Sequence, residues 1–223
     1  MKTYLSKISN KILDLIYPPV CGICGKLCDE DICKKCQVNL INNIQIGTDD
    51  YKLDDTKYFN EHIYIFKYDG IMREKILQYK FHDKTYLYKM FSKLITNNQK
   101  IYEKIKDYDI IIPVPIHKKR KIERGYNQCE LIAKNISIKC NLSLNTTSLQ
   151  KEKNTVAQST LSKQDREENI RNAYICKNEE LIKNKNILIF DDVYTTGNTV
   201  NECSKALKNA GVNNIGIFTI AKT

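Results

Sequence analysis

The stretch Ile187-Leu188-Ile189-Phe190-Asp191-Asp192-Val193-Tyr194-Thr195-Thr196-Gly197-Asn198-Thr199 decides the fold. Four consecutive large apolar residues read as a strand buried on both faces, the pattern of a parallel sheet covered by helices. Two adjacent acids end that strand, a hydroxyl-rich turn with glycine follows, and Thr199 to Asn209 carries a helical pattern closed by Gly211. Each part has a physical use. The turn feeds a helix N-terminus, where backbone N–H groups and the helix dipole hold phosphate. Thr195, Thr196 and Thr199 add hydroxyl donors, and Gly197 lets the backbone approach a ligand closely. Asp191 and Asp192 sit at the carboxyl end of a parallel strand, where open α/β sheets bind ligands. Acceptors beside a phosphate site suit sugar hydroxyls. Separately these features describe a solvated strand end and a helix cap. In this order, after a buried strand, they point to a phosphate-and-sugar site.

Working outward, Asp109 to Ile112 is a second buried strand ending at Pro113, Tyr126 to Ile138 is a helix, Ala173 to Cys176 a short strand, and Ile215 to Ile220 a final strand. Upstream, EHIYIFKY (61–68) alternates like a strand. Residues 71–80 and 85–97 have helical periodicity, carried by Ile71, Ile76 and Leu77, then by Leu87, Met90, Phe91, Leu94 and Ile95. Apolar runs alternating with helices predict an α/β fold with a mainly parallel sheet flanked by helices on both faces. The expected organisation is an N-terminal helix and cysteine module over residues 1–45, a polar linker or edge over 46–60, and the α/β domain over 61–223. Leu5, Ile8, Ile12 and Ile16 predict a short amphipathic helix before Pro18-Pro19, docked on the body rather than laid on a membrane surface.

Five of the nine cysteines crowd between Cys21 and Cys36. Cys21-x2-Cys24-x8-Cys33-x2-Cys36 can place four thiolates tetrahedrally around a structural Zn²⁺, and Gly22 and Gly25 permit the tight turn that pairs them. A segment this short builds no core, so metal binding would supply its folding free energy. The alternative, a redox Cys-x-x-Cys, fits two adjacent pairs less well. Cys28 breaks the two-plus-two spacing and reads as a bystander.

The formal net charge is +10, yet only five of the 36 basic residues are arginine, so much of the charge is a lysine-rich composition. It permits nucleic-acid binding without demonstrating it. An apolar fraction of 42% argues against a disordered chain. No apolar run reaches the about 18 residues of a membrane helix. Lys7, Lys11 and Asp14 interrupt the N-terminal segment, so it lacks the clean apolar core of a signal peptide, and a cytoplasmic location is expected.

The 187–199 stretch resembles the phosphoribosyl pyrophosphate (PRPP) motif of type I phosphoribosyltransferases. Pro113-Val114-Pro115-Ile116 with Arg120 and Arg124-Gly125-Tyr126-Asn127-Gln128 resembles the ComF (ComFC) competence-protein family, as does the order of helix, Pro-Pro, four cysteines and phosphoribosyltransferase-like domain. Thr155, Gln158, Leu161, Arg166, Asn169 and Ala173-Tyr174 add to that similarity, which thins only over 39–60. Tyr126 and Tyr174 stand where phenylalanine is usual.

The resemblance implies that Asp191 and Asp192 hold the ribose hydroxyls and are central to catalysis, with Mg²⁺ nearby. It implies that Asp191, Asp192, Val193, Tyr194, Thr195, Thr196, Gly197, Asn198 and Thr199 bind PRPP. The loop through Val114, Pro115, Arg120 and Arg124 would meet the pyrophosphate, and the Lys151–Arg171 region, with Gln158, Arg166 and Arg171, would close as a lid. Guanidinium forks suit such phosphate recognition in a chain that otherwise uses lysine. The resemblance further implies natural transformation, with single-stranded DNA bound near Lys118-Lys119-Arg120-Lys121 beside Tyr126, and a competence helicase as partner. A phosphoribosyltransferase with an unidentified acceptor outside DNA uptake, and a PRPP sensor without turnover, are the alternatives. His62, His82 and His117 read as surface or capping residues.

Overall fold

A computed structural model of the chain describes residues 18–41, 44–53, 56–153 and 170–223. Among the described residues there are eight strands: β1 (Gly47–Asp50), β2 (Glu61–Lys67), β3 (Ile110–Pro113), β4 (Ser143–Leu144), β5 (Leu149–Lys151), β6 (Tyr174–Cys176), β7 (Asn186–Tyr194) and β8 (Asn214–Lys222). The helices are α1 (Lys34–Ile41), α2 (Gly70–Phe81), α3 (Leu87–Thr96), α4 (Gln99–Ile105), α5 (Lys118–Arg124), α6 (Gln128–Cys140) and α7 (Asn198–Asn209). Six strands form one sheet in the order β1-β2-β8-β7-β3-β4, and β5 pairs with β6 in a separate antiparallel ribbon. All pairings in the large sheet are parallel except that of β1 with β2. The expected mainly parallel α/β architecture is therefore the observed one.

Strand alternation sorts the central side chains between two cores. In β7, Leu188 and Phe190 join Ile111, Phe218 and Ile220 on the face covered by α2, α3, α4 and α6. Ile187 and Ile189 join Ile110, Ile112, Ile215 and Ile217 on the face covered by α7 and the β5–β6 ribbon. Register makes these layers coincide, with Ile187 opposite Ile215, Ile189 opposite Ile217 and Phe190 opposite Phe218. This is why the strand is apolar at every position rather than at alternate ones.

Several local features differ from the sequence expectation. β7 does not stop at Phe190 but continues through both acids to Tyr194, because β8 continues beside it, with Asp191 opposite Thr219 and Val193 opposite Ala221. α6 begins at Gln128, since the Asn127 side chain caps it by accepting from the Cys129 N–H at 3.1 Å. That leaves Tyr126 outside the helix, packed against the core beside Tyr79. α2 buries Met72, Lys75, Ile76 and Tyr79 and leaves Ile71 on the outside, a rotation of the expected face. The short helices α4 and α5 carry no long periodic signal; α5 has no buried residue and is held by a His117 cap and by Gly125 at φ +82°. The polar strand β1 lies within the expected linker or edge, fastened by an Asp49–Lys222 ion pair at 2.6 Å. The expected helix at 3–16 lies outside the described residues.

Candidate functional site

The cysteine hairpin is built by backbone first. Gly25, at φ +73°, donates its N–H to the Cys21 carbonyl at 2.9 Å, and the Cys21 N–H returns to the Lys26 carbonyl at 2.8 Å. The sulfurs of Cys21, Cys24, Cys33 and Cys36 all lie within 4.8 Å of one another, with Cys24 and Cys33 3.9 Å apart. A tetrahedral zinc with bonds of about 2.3 Å separates its sulfurs by about 3.8 Å, so the four thiols fit the ion. Cys28 is not among them. Burial raises the Cys21 thiol, but N–H groups of Cys24, Cys33 and Ile23 outweigh it and bring the pKa to about 6, whereas burial and the neighbouring sulfurs push Cys36 up to about 12. The backbone N–H groups thus favour the Cys21 thiolate, while Cys36 favours its thiol unless a cation is bound. The hairpin sits against α3, with Gly22 so close to Met90 that an added Cβ would lie 2.8 Å from its sulfur, and with an ion pair between Glu30 and Lys93.

At the carboxyl end of the large sheet, β7, the following turn and α7 form one wall of a cavity of about 770 Å³. Every residue from 191 to 199 lines it. Gly197 caps α7 at φ +78°, and a Cβ there would lie 2.4 Å from the Tyr194 hydroxyl, so only glycine fits. The turn directs the first N–H groups of a 12-residue helix toward the cavity. Asp192 is buried and Asp191 half-buried; the Asp192 N–H and the Cys129 thiol both donate to Asp191 Oδ1, at 2.9 and 3.5 Å. Burial and the Asp192 charge together raise Asp191 to about 7, against the pull of Lys80.

The opposite wall comes from the segment after β3. Val114, Pro115, Ile116, Arg120 and Arg124 all line the same cavity. Arg120 and Arg124 are four residues apart on α5 and so share a helix face, while Lys118 and Lys119 point to solvent. Burial and the Arg120 charge lower the Arg124 pKa from its usual range. Lys151 and Tyr174, paired across the β5–β6 ribbon, close a third side. The segment between them contains Gln158 and Arg166, which lie outside the described residues. Arg171 lines a different cavity, of about 790 Å³, on the far side of the threonine turn with Thr56 and Lys205.

The cavity contains groups that the sequence reading missed. Lys80, in the last turn of α2, places its Nζ 2.6 Å from Asp192 Oδ1. Gln128, 3% exposed, lines the cavity with no hydrogen-bond partner for its Nε2. Not missed was Arg73, which the scarcity of arginine in a lysine-rich chain sets apart on the helix ahead of these stretches; it lines the cavity as well. In a chain with lysine throughout, no sequence signal separates Lys80 from its neighbours; only the crossing of α2 over the end of β7 does.

Behind the turn, Tyr194 stacks on His62 with ring centroids 4.1 Å apart and an interplanar angle of 21°. His62 is fully buried, contrary to the surface or capping expectation, whereas His117 caps α5 and His82 ends α2 as expected. The Thr219 hydroxyl donates to the Ala221 carbonyl, so His62 Nε2 is the donor in its 2.8 Å bond with Thr219 Oγ1. Burial lowers the His62 pKa to about 4 despite Asp49 at 3.6 Å.

A parallel sheet with an acid pair, a threonine turn and a helix N-terminus at its carboxyl edge defines a phosphoribosyltransferase-type domain, and residues 127–223 match the family described as "Phosphoribosyl transferase domain". Competence protein F of Haemophilus influenzae is 31% identical over 153 residues, covering 66% of each chain. Competence protein ComFC of Bacillus subtilis is 23% identical over 210 residues, 92% of this chain and 78% of that one. DNA utilization protein YhgH of Escherichia coli K12 is 29% identical over 115 residues, and the match spans only 50% of its length. The chain belongs to the ComF/ComFC family of competence proteins, with a four-cysteine cluster ahead of its phosphoribosyltransferase-like domain. Among solved structures, adenine phosphoribosyltransferase from Thermoanaerobacter pseudethanolicus aligns with a TM-score of 0.40 and 10% identity, over 84% of this chain and 99% of that one. Among the described residues, no helix is long and apolar enough to cross a membrane.

Proposed function

We propose that the cavity binds PRPP together with Mg²⁺, that the four cysteines hold a structural zinc, and that the protein serves natural transformation by handling incoming single-stranded DNA in the cytoplasm. The observation that carries the ligand reading is convergence: residues 191–199 and the Val114–Arg124 segment, far apart in sequence, line one cavity. In this reading the N–H groups and hydroxyls of Thr195–Thr199 hold the 5′-phosphate, Asp191 and Asp192 accept from the ribose hydroxyls, and Arg120 and Arg124 face the pyrophosphate. The two carboxylates offer the hard oxygen donors that Mg²⁺ prefers, and the nearby Cys129 thiol does not. Bound with pyrophosphate, Mg²⁺ supplies charge neutralisation of the leaving group. Lys151 and Tyr174 exclude water from the side where the β5–β6 ribbon leaves the site.

The DNA reading is carried by the family and by α5, whose arginines face the cavity while Lys118 and Lys119 remain exposed to meet a phosphodiester backbone. Tyr126 packs, partly buried, against the core beside Tyr79. The experiment is calorimetric binding of Mg²⁺·PRPP and measurement of pyrophosphate release, alone and with single-stranded DNA or a nucleobase panel. The Asp191→Ala/Asp192→Ala double variant should lose PRPP binding while retaining the fold; unchanged binding refutes the site. Release stimulated by one additive identifies the acceptor class, and single-strand affinity should fall steeply between low and physiological salt.

A further inference from the structure

Among the described residues, Lys80 is the cation in salt-bridge contact with the acid pair, through Asp192. Its Nζ is 2.6 Å from Asp192 Oδ1, with the lysine side chain 26% exposed and the carboxylate side chain 7%. The lysine is not there by accident of a floppy surface chain. Tyr79, the preceding residue, is fully buried and donates its hydroxyl to the Gln128 carbonyl at 2.9 Å, fastening the last turn of α2 to the start of α6. Lysine also complements the negative end of the helix dipole in that turn.

The ligand atoms of Cys129, Asp191 and Asp192 lie within 4.8 Å of one another. Two carboxylates this close, one of them buried, repel each other, and a cation beside them offsets that repulsion. Arg73, Arg120, Arg124 and Lys151 line the same cavity, yet among the described residues Lys80 supplies the salt bridge. A compact ammonium on a four-carbon stem offsets the Asp192 charge as a point charge and can swing away at small cost, which a guanidinium fork does less readily.

We propose that Lys80 stands in for the divalent cation while the sugar phosphate is absent, so that the metal enters with its anionic ligand and not ahead of it. This rests on the PRPP reading above. A free divalent ion arriving alone would meet an Asp192 carboxylate already paired and would have to sit beside an ammonium. An ion carried by pyrophosphate brings the negative charge toward which Lys80 can turn. Lys80 is thus a positioning residue: it holds Asp192 oriented before the ligand arrives and releases it to the ligand.

The test uses the zinc-loaded full chain and Mn²⁺ as a paramagnetic probe, because manganese prefers the oxygen donors and leaves the thiolate cluster to zinc. Wild type, Lys80→Met, Lys80→Gln and Lys80→Arg are titrated with Mn²⁺ alone. The two neutral variants should bind Mn²⁺ roughly tenfold or more tightly than wild type, and Lys80→Arg should restore weak binding. Equal Mn²⁺ affinity in wild type and a folded neutral variant overturns the proposal. A second measurement needs no variant: wild type should bind Mn²⁺ weakly alone and hold it tightly with pyrophosphate beyond a protein-free Mn²⁺·pyrophosphate control, and no gain over that control overturns the proposal as well. Mg²⁺·PRPP binding on the same samples separates the two ideas. Its absence from wild type refutes the ligand reading, while the Mn²⁺ contrast between variants still reports on Lys80.

Discussion

Protonation of His62 should destabilise the protein as pH falls, and the effect can be isolated. The imidazole is fully buried between Tyr194 and the sheet, donates through Nε2 to Thr219, and leaves Nδ1 without a hydrogen-bond partner. Burial lowers its pKa to about 4, and Lys222, already paired with Asp49 at 2.6 Å, opposes a second positive charge there. In the unfolded chain the same group titrates near 6.5. Between those values the unfolded state binds more protons than the folded one, so stability is complete above about pH 6.5 and is lost as pH drops toward 4. The full span of about 2.5 units corresponds to about 3 kcal/mol, and about 2 kcal/mol should be gone at pH 5. The assay is urea unfolding of wild type and His62→Gln at intervals from about pH 7.5 to about pH 5. The variant retains a donor for Thr219 without a titrating group, so carboxylates such as Asp191, whose raised pKa acts in the opposite direction, cancel in the difference. Parallel stability curves for the two proteins would refute the reasoning and would mean that Asp49, 3.6 Å from Nδ1, compensates the charge after all.

Gly197→Ala combines a left-handed backbone with a Cβ 2.4 Å from the Tyr194 hydroxyl, whose ring His62 holds in place. It should cost about 1–3 kcal/mol in denaturant unfolding and weaken PRPP binding by roughly tenfold or more, and wild-type affinity would show that the turn does not contact the phosphate. Zinc removal by a chelator, or Cys21→Ser, should lower the thermal midpoint, because Cys21, Ile32 and Leu40 share a core with Met90 and Phe91. PRPP affinity should stay within about threefold, since the threonine turn and α7 pack in the core on the other face of the sheet; freshly purified protein without zinc would remove the metal from the account.

The class of fold was legible in the 187–199 stretch, because a short apolar run without alternation, ended at once by acids and a glycine turn, fits a strand in a sheet covered on both faces. The threonine turn and the cysteine spacing were equally legible, since their residues are contiguous or nearly so and local geometry brings them together. Val114, Pro115, Arg120 and Arg124 were tied to the site by resemblance, and the tertiary structure then set them across the cavity from the acid pair. The short helices α4 and α5 were hidden because seven residues carry too little periodicity to read.

What the sequence by itself determined is whatever depends on neighbours along the chain: the buried strand, the turn that only glycine can make, and the four thiols in two pairs. Tertiary structure alone decided which distant charges meet. Lys80 is one lysine among many until α2 crosses the end of β7, and His62 is one titratable ring until β8 and Tyr194 enclose it. Both depend on burial and on distance through space, and a charge or a ring acquires its energetics only when the packing around it removes water.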